Sequence, residues 1–267
     1  VSELKPQTPQ GGEQTGWATE FYEQQDRLGQ VYSGPVAEYH HQKAAEVTAR
    51  LGGPGKRVLE LGAGGGQDAF ALAQAGHDVT ALELVPRAAA FAQTLAQDLT
   101  AGHLTVLSAD FYTVALEGEF DAVCYWDGFG IGSDAEQRHL LRRIAVWLES
   151  DGVALMDVCT PWYWASVAGT EHTDVGYARR YSFDADGCRM LDTWWNPQQP
   201  DARVTQFIRC YSPADLRLLL EGTGLALREV RSGGMFDQVA REYRPSVPLE
   251  QAMSYLAVLE KSPDSRF

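Results

Sequence analysis

Residues 58–66 read VLELGAGGG, an apolar strand that runs into glycines and then into a helix. No other feature restricts the fold of this chain as strongly. Glycine admits positive φ and lets a ligand approach the backbone with no Cβ in the way. A helix that begins at the end of such a loop adds unpaired backbone N–H donors. Gly62, Gly64 and Gly66 alternate, which exceeds what a simple turn requires. The chain is therefore organised around a strand–loop–helix unit suited to a nucleotide.

The kind of nucleotide follows from the neighbouring residues. A dinucleotide fingerprint begun at Gly62 needs its third glycine at position 67, where Gln67 stands. Glu60, just before the loop, is awkward beside a pyrophosphate and welcome beside an ammonium group. Twenty-one residues beyond Gly62, Glu83 ends the next strand, placed to accept hydrogen bonds from two ribose hydroxyls. The implied ligand is a nucleoside that carries an amino acid rather than phosphates.

Around this unit short apolar strands alternate with longer helices. Strands are expected at 57–61, 79–83, 104–108, 120–126 and 152–159, with helices at 67–75, 86–99 and 134–148. Pro86 suits a first helical turn, and Leu140, Leu141, Ile144, Ala145 and Leu148 form one apolar helix face. This rhythm predicts an α/β fold, a parallel sheet with helices on both faces. Residues 17–51 read as two helices broken at Gly34-Pro35, a cover over the sheet, and residues 1–16 as a disordered tail. After Cys159 the rhythm changes. Strands at 179–184 and 189–195 flank the turn Ala185-Asp186-Gly187, and a third follows at 204–211, so residues 161–211 read as an antiparallel insertion. A capped helix at 212–221 and strands at 225–231 and 254–260 close a single domain that spans 17–267.

Composition narrows the partners. With 22 basic and 36 acidic residues the net charge is −14, which disfavours a nucleic acid or an anionic membrane. No apolar run is long enough to cross a membrane and no signal segment opens the sequence, so a cytoplasmic location is expected. Cys124, Cys159, Cys188 and Cys210 are spaced for neither zinc nor a disulfide scaffold, and no metal is expected.

These segments, in this order, resemble the class I S-adenosylmethionine-dependent methyltransferases over roughly residues 30–260. The stretch 60–66 is similar to that family's first motif, Glu83-Leu84 to its ribose and adenine edge, and Ser108-Ala109-Asp110-Phe111 to the segment whose acidic side chain meets the adenine amino group. Residues 120–127 are similar to its fourth strand, and SYLAVLEK at 254–261 to its last, antiparallel strand. The resemblance implies a Rossmann-like seven-stranded sheet, the donor S-adenosylmethionine and the product S-adenosylhomocysteine. It implies cofactor contacts at Glu60, Gly62, Ala63, Gly64, Gly66, Glu83, Leu84, Ala109, Asp110, Phe111, Trp126 and Asp127, with Tyr32 of the cover folding over the donor.

Methyl transfer from a sulfonium needs alignment and exclusion of water, and a base only where the acceptor must lose a proton. The candidate bases are His172, His40 and His41. Asp127 could bind the donor, orient an acceptor or cap the next helix. The 161–211 insertion reads as a lid over the acceptor. Its Trp162, Trp164, Trp194 and Trp195 suggest a small aromatic or apolar metabolite, and Arg180, beside Arg179, could hold an acid group on it. The expected activity is methylation at O, N or C of a small molecule, by a monomer or homodimer, in the manner of enzymes of specialised metabolism. The alternative is a donor-binding protein that transfers no methyl, such as a cyclase or a regulatory module.

Overall fold

The structure, a computed structural model, describes residues 14–263. The chain opens with α1 (Gln14–Gly29) and α2 (Glu38–Arg50). It continues through β1 (Arg57–Leu61), α3 (Gln67–Gln74), β2 (Asp78–Glu83), α4 (Pro86–Leu95) and β3 (His103–Ser108). Next come β4 (Phe120–Phe129), α5 (Asp134–Trp147) and β5 (Leu148–Cys159). The 161–211 segment holds α6 (Pro161–Ser166), β6 (Glu171–Asp174), β7 (Tyr177–Asp184), β8 (Arg189–Asn196) and β9 (Gln199–Arg209). Then follow α7 (Pro213–Leu220), β10 (Leu225–Ser232), a small hairpin of β11 (Met235–Asp237) and β12 (Glu242–Arg244), and β13 (Ser254–Lys261). Of the expected tail, residues 1–13 lie outside the described residues, while 14–16 already belong to α1.

Seven strands form one sheet in the order β10-β13-β5-β4-β1-β2-β3. β5, β4, β1, β2 and β3 run parallel, and β13 lies antiparallel between β5 and β10. Alternation along each strand decides which layer it feeds. In β1, Leu59 and Leu61 pack with Leu140, Leu141 and Ile144 of α5 and Leu216 and Leu219 of α7. Val58, on the opposite face, packs with Ala44 and Val47 of α2 and Ala69 and Leu72 of α3. The result is a sheet buried on both sides, whose loops at the carboxyl ends of the strands are free to carry a site.

The lid is a second sheet, β6-β7-β8-β9, wholly antiparallel. Its last strand is tied to the loop after β4, where Arg209 N–H donates to the Gly130 carbonyl (2.9 Å) and Ile131 pairs with Ile208. The hairpin between β7 and β8 forms where its turn residues predict. Its positive φ falls on Cys188, and Gly187 lets the Asp184 carboxylate lie close against the turn. α6, β6 and the β11–β12 hairpin carry too few residues of regular pattern to be read from the sequence.

Candidate functional site

One cavity of about 550 Å³ lies over the carboxyl ends of β1, β2 and β4, roofed by α1 and by the lid. Cover and lid meet above it. Trp17 packs edge-on against Phe207 at 6.0 Å, and Gly29 is pressed to the Trp194 ring, where a Cβ would lie 3.2 Å away.

The floor of one half is the glycine loop. Gly62, Gly64 and Gly66 have φ of 61°, 55° and 79°, the left-handed region that favours glycine. At Gly64 a second requirement applies, since a Cβ would stand 2.9 Å from the Tyr32 ring. Glu83 is buried and binds this loop. Its Oε2 accepts from Gly64 N–H (2.6 Å) and its Oε1 from Val85 N–H (2.7 Å). Burial raises its pKa, and those backbone bonds hold it down. Tyr32, Gly62, Gly64, Glu83, Leu84, Asp110, Phe111, Trp126 and Asp127 all line the cavity. Ala63, Gly66 and Ala109 stand behind that surface as backbone supports. Ala63 N–H donates to the Leu82 carbonyl, Gly66 N–H to that of Ala63, and Ala109 N–H to that of Glu83.

Glu60 lies behind the loop, buried, among groups that the sequence reading missed. Lys43 of α2 pairs with Asp68 of α3 at 2.7 Å and stands over the Trp126 ring at 4.8 Å. Glu60 Oε2, Asp68 Oδ1 and Trp126 Nε1 are buried with no hydrogen-bond partner. Burial, and then the Asp68 charge, push the Glu60 carboxyl well above its ordinary range, against the pull of Lys43. Unpaired buried polar atoms cost about 1–3 kcal/mol each. Of this group only Trp126 lines the cavity; Glu60, Lys43 and Asp68 stand behind it. Lys43 and Asp68 are far apart in sequence and lie on helix faces of ordinary pattern, so nothing local distinguishes them.

The other half is walled by side chains of the lid. Tyr177, Arg179 and Tyr181 of β7, Met190, Asp192 and Trp194 of β8, and Gln206 and Ile208 of β9 line it at alternate positions, with Trp164 of α6 and Tyr22 of α1. The Asp192 side chain is completely buried. Its Oδ1 accepts from Arg179 Nε (3.2 Å), and its Oδ2 from a second guanidinium nitrogen, from Trp194 Nε1 (2.8 Å) and from Gln206 Nε2 (3.5 Å). The guanidinium stands over both the Tyr181 and Trp194 rings at 4.6 Å, and Tyr22 donates to Gln206 Oε1 at 3.1 Å. This network fixes the wall's shape.

Several predicted residues stand elsewhere. The period of two that brings Arg179 and Trp194 to the cavity sends Arg180 to the surface and Trp195 to the other face, beneath Arg203 at 4.4 Å. Trp162 turns toward the β11–β12 side and donates to the Leu249 carbonyl at 2.8 Å. His172 sits on β6 with its ring edge near Tyr181 and Phe236. His40 is a buried helix cap that accepts from Ala37 N–H (2.8 Å), and His41 is exposed on the same helix. None of the three histidines lines the cavity. Asp127 does not cap α5, because Ser133 and Glu136 form a reciprocal capping box there. Among the described residues no acidic, histidine and cysteine side chains group as a metal site, and the four cysteines are free.

A glycine loop, a carboxylate ending the second strand and a roofed cavity at the carboxyl ends of a 3-2-1-4-5 parallel sheet define a nucleoside-binding α/β protein. Residues 58–152 match the family model described as a methyltransferase domain. No curated protein sequence matches the chain. Among solved structures, the CcbJ methyltransferase from Streptomyces caelestis superposes with a TM-score of 0.66 at 20% identity, covering 86% of this chain and 98% of that one. A 1,6-didemethyltoxoflavin N1-methyltransferase from Burkholderia thailandensis, with its substrate and S-adenosylhomocysteine bound, gives 0.61 at 17% identity over 97% and 93%. CalS10 from Micromonospora echinaspora, an amino pentose methyltransferase of calicheamicin biosynthesis with S-adenosylmethionine bound, gives 0.57 at 19% over 84% and 92%. The chain has the fold of the class I S-adenosylmethionine-dependent methyltransferases, and the family-model match falls on the part of it that carries β1 to β4 and the glycine loop. Among the described residues no helix is long and apolar enough to cross a membrane.

Proposed function

We propose that the protein transfers a methyl group from S-adenosylmethionine to a small aromatic or apolar metabolite held under the lid. The observation that carries this reading is that one cavity joins the glycine loop and Glu83 to a wall of aromatic lid side chains. The residues present fit the donor. Glu83 would hold the ribose, Asp110 and Phe111 would flank the adenine, and Tyr32, which stands over Gly64, would cover the donor. Trp126 Nε1, unpartnered at the cavity wall, would donate to the donor's carboxylate, and the buried Glu60, Asp68 and Lys43 behind the loop would act on its amino-acid end through their charge. The bound donor supplies an electrophilic methyl and its own leaving group. The chain's residues align the acceptor and exclude water beneath the cover and lid. Support also comes from neighbours of this fold crystallised with the donor or its product and from one acting in antibiotic biosynthesis. The same reading makes the partner a small molecule, with no nucleic acid or membrane involved, and the enzyme a cytoplasmic monomer or homodimer of class EC 2.1.1.

The test is calorimetric titration with S-adenosylmethionine and S-adenosylhomocysteine, followed by incubation of trideuteromethyl donor with a metabolite extract and mass spectrometry. Donor binding and a labelled small molecule are expected. Failure to bind either nucleoside sinks the reading. Binding without a labelled product shifts the protein toward a donor-binding role.

A further inference from the structure

The acceptor's nucleophile can be narrowed from the residue at the junction of the two halves. Asp127 ends the regular part of β4 with φ of 51°, a conformation uncommon for a residue with a side chain. The bend carries it from the sheet edge into the cavity, and Gly128 follows because a Cβ there would meet the Tyr125 ring at 2.5 Å. Backbone strain of this kind gathers at functional positions.

Its carboxylate has no hydrogen-bond donor among the described residues. The two cations that act on it are already committed, Arg179 to Asp192 and Lys43 to Asp68. The titratable groups near enough to share its electrostatics are Lys43 of α2, Arg179 and Tyr181 of β7, Asp192 of β8, Tyr22 of α1, Tyr32 of the cover, Tyr125 of β4 and Asp157 and Cys159 of β5. Of these, Tyr32 belongs to the donor half, and Tyr22, Arg179, Tyr181 and Asp192 to the acceptor half. Asp127 thus stands where donor and acceptor must meet, with a charge that nothing in the protein uses.

Resting on the methyl-transfer reading, we infer that Asp127 accepts the acceptor's nucleophilic N–H or O–H and takes its proton, so the acceptor is a nitrogen or oxygen nucleophile rather than a carbon one. The nucleophile's lone pair forms the new N–CH3 or O–CH3 bond while the sulfonium C–S bond breaks, and that bond's electron pair stays on sulfur. The proton passes to an Asp127 oxygen and from there to solvent. Asp127 stays accessible from the cavity, and desolvation by the surrounding protein raises its pKa against the pull of Lys43 and Arg179, the direction a base needs.

The test compares wild type with Asp127→Asn, a substitution that tolerates the left-handed backbone. The probes are small aryl amines and phenols, each paired with its N,N-dimethyl or O-methyl counterpart. They are titrated by ligand-detected NMR onto protein saturated with S-adenosylhomocysteine. Uncapped members are expected to bind wild type and to weaken about tenfold in the variant, because one charge-assisted hydrogen bond is lost. Capped members are expected to bind neither. With trideuteromethyl donor the bound probes gain the label on N or O, and the rate falls roughly 10²–10⁴-fold in Asp127→Asn. S-adenosylhomocysteine affinity stays within about threefold, since the lost group faces the acceptor. Four results overturn the inference: equal binding of capped and uncapped members, no binding by any uncapped member, label on carbon, or an unchanged rate in the variant. A wild type that fails to bind S-adenosylhomocysteine overturns the methyl-transfer reading instead.

Discussion

At the glycine loop the cavity wall is backbone: two glycines with positive φ backed by a third, the Gly64 N–H turned to Glu83, and strand ends fixed by the parallel register. Across the cavity the wall is side chain: a guanidinium between two aromatic rings, a fully buried carboxylate and an amide bonded to a tyrosine. The first half is set by local conformation, so few substitutions keep it. The second is set by which residues occupy alternate positions of three strands, so its shape can change while the strands remain.

This contrast can be broken or sharpened by experiment. The largest effect is expected for Gly64→Val, which puts a β-branched residue at φ of 55° and drives it into Tyr32. Calorimetry should show S-adenosylhomocysteine affinity falling roughly 100-fold or more, about 2.7 kcal/mol. Retained affinity would mean that the loop does not touch the donor. Asp192→Ala should lower stability by about 3 kcal/mol in denaturant unfolding, because Arg179 is left partly buried without its partner. An apolar replacement of both residues should recover much of that loss. Glu83→Ala should weaken donor binding by about 2 kcal/mol, roughly thirtyfold, through the lost charge-assisted bonds and a loosened loop.

A pH test probes Asp157 of β5, which shares its electrostatics with Lys43, Asp127 and Asp68. Burial pushes Asp157 up to about 6, against Lys43. The unfolded carboxyl titrates near 3.9, so between about 4 and 6 the folded state holds more protons. Stability from this group is therefore lost as pH rises through that window and stays low above it. Asp157→Asn should remove that slope and stabilise the protein at pH 7 by about 1–2 kcal/mol. The smallest effect is expected for Arg180→Ala, under about 0.5 kcal/mol in stability and with unchanged ligand binding, although its neighbour Arg179 is central. A large effect there would show that the β7 register is misplaced.

The same contrast explains what the sequence made legible. The parallel sheet, the glycine loop and Glu83 follow from apolar periodicity, turn residues and fixed spacing, all local signals, whereas the seven-stranded topology and Asp110 follow from the family resemblance. In the lid the hairpin turn is legible, but its residues do not say which phase of each strand faces inward. Arg180 and Trp195 therefore read as equals of Arg179 and Trp194, although one phase of the strand excludes the other. Asp192, a lone acidic residue in the apolar run MLDTWW, was the available signal, since its parity on β8 matches that of Trp194. Lys43 and Asp68 meet only through packing of α2 on α3, which no local pattern announces.

Gln67 occupies the position that would complete a dinucleotide fingerprint, and its side-chain amide donates to the carbonyls of Tyr32 (3.0 Å) and Gly34 (2.9 Å). One residue thereby joins two decisions that seem separate. A glycine there would open the loop to a pyrophosphate and at the same stroke release the cover from the sheet. The identity of the bound molecule and the closure of the chamber around it are inherited together, and a lineage that changes the first must rebuild the second.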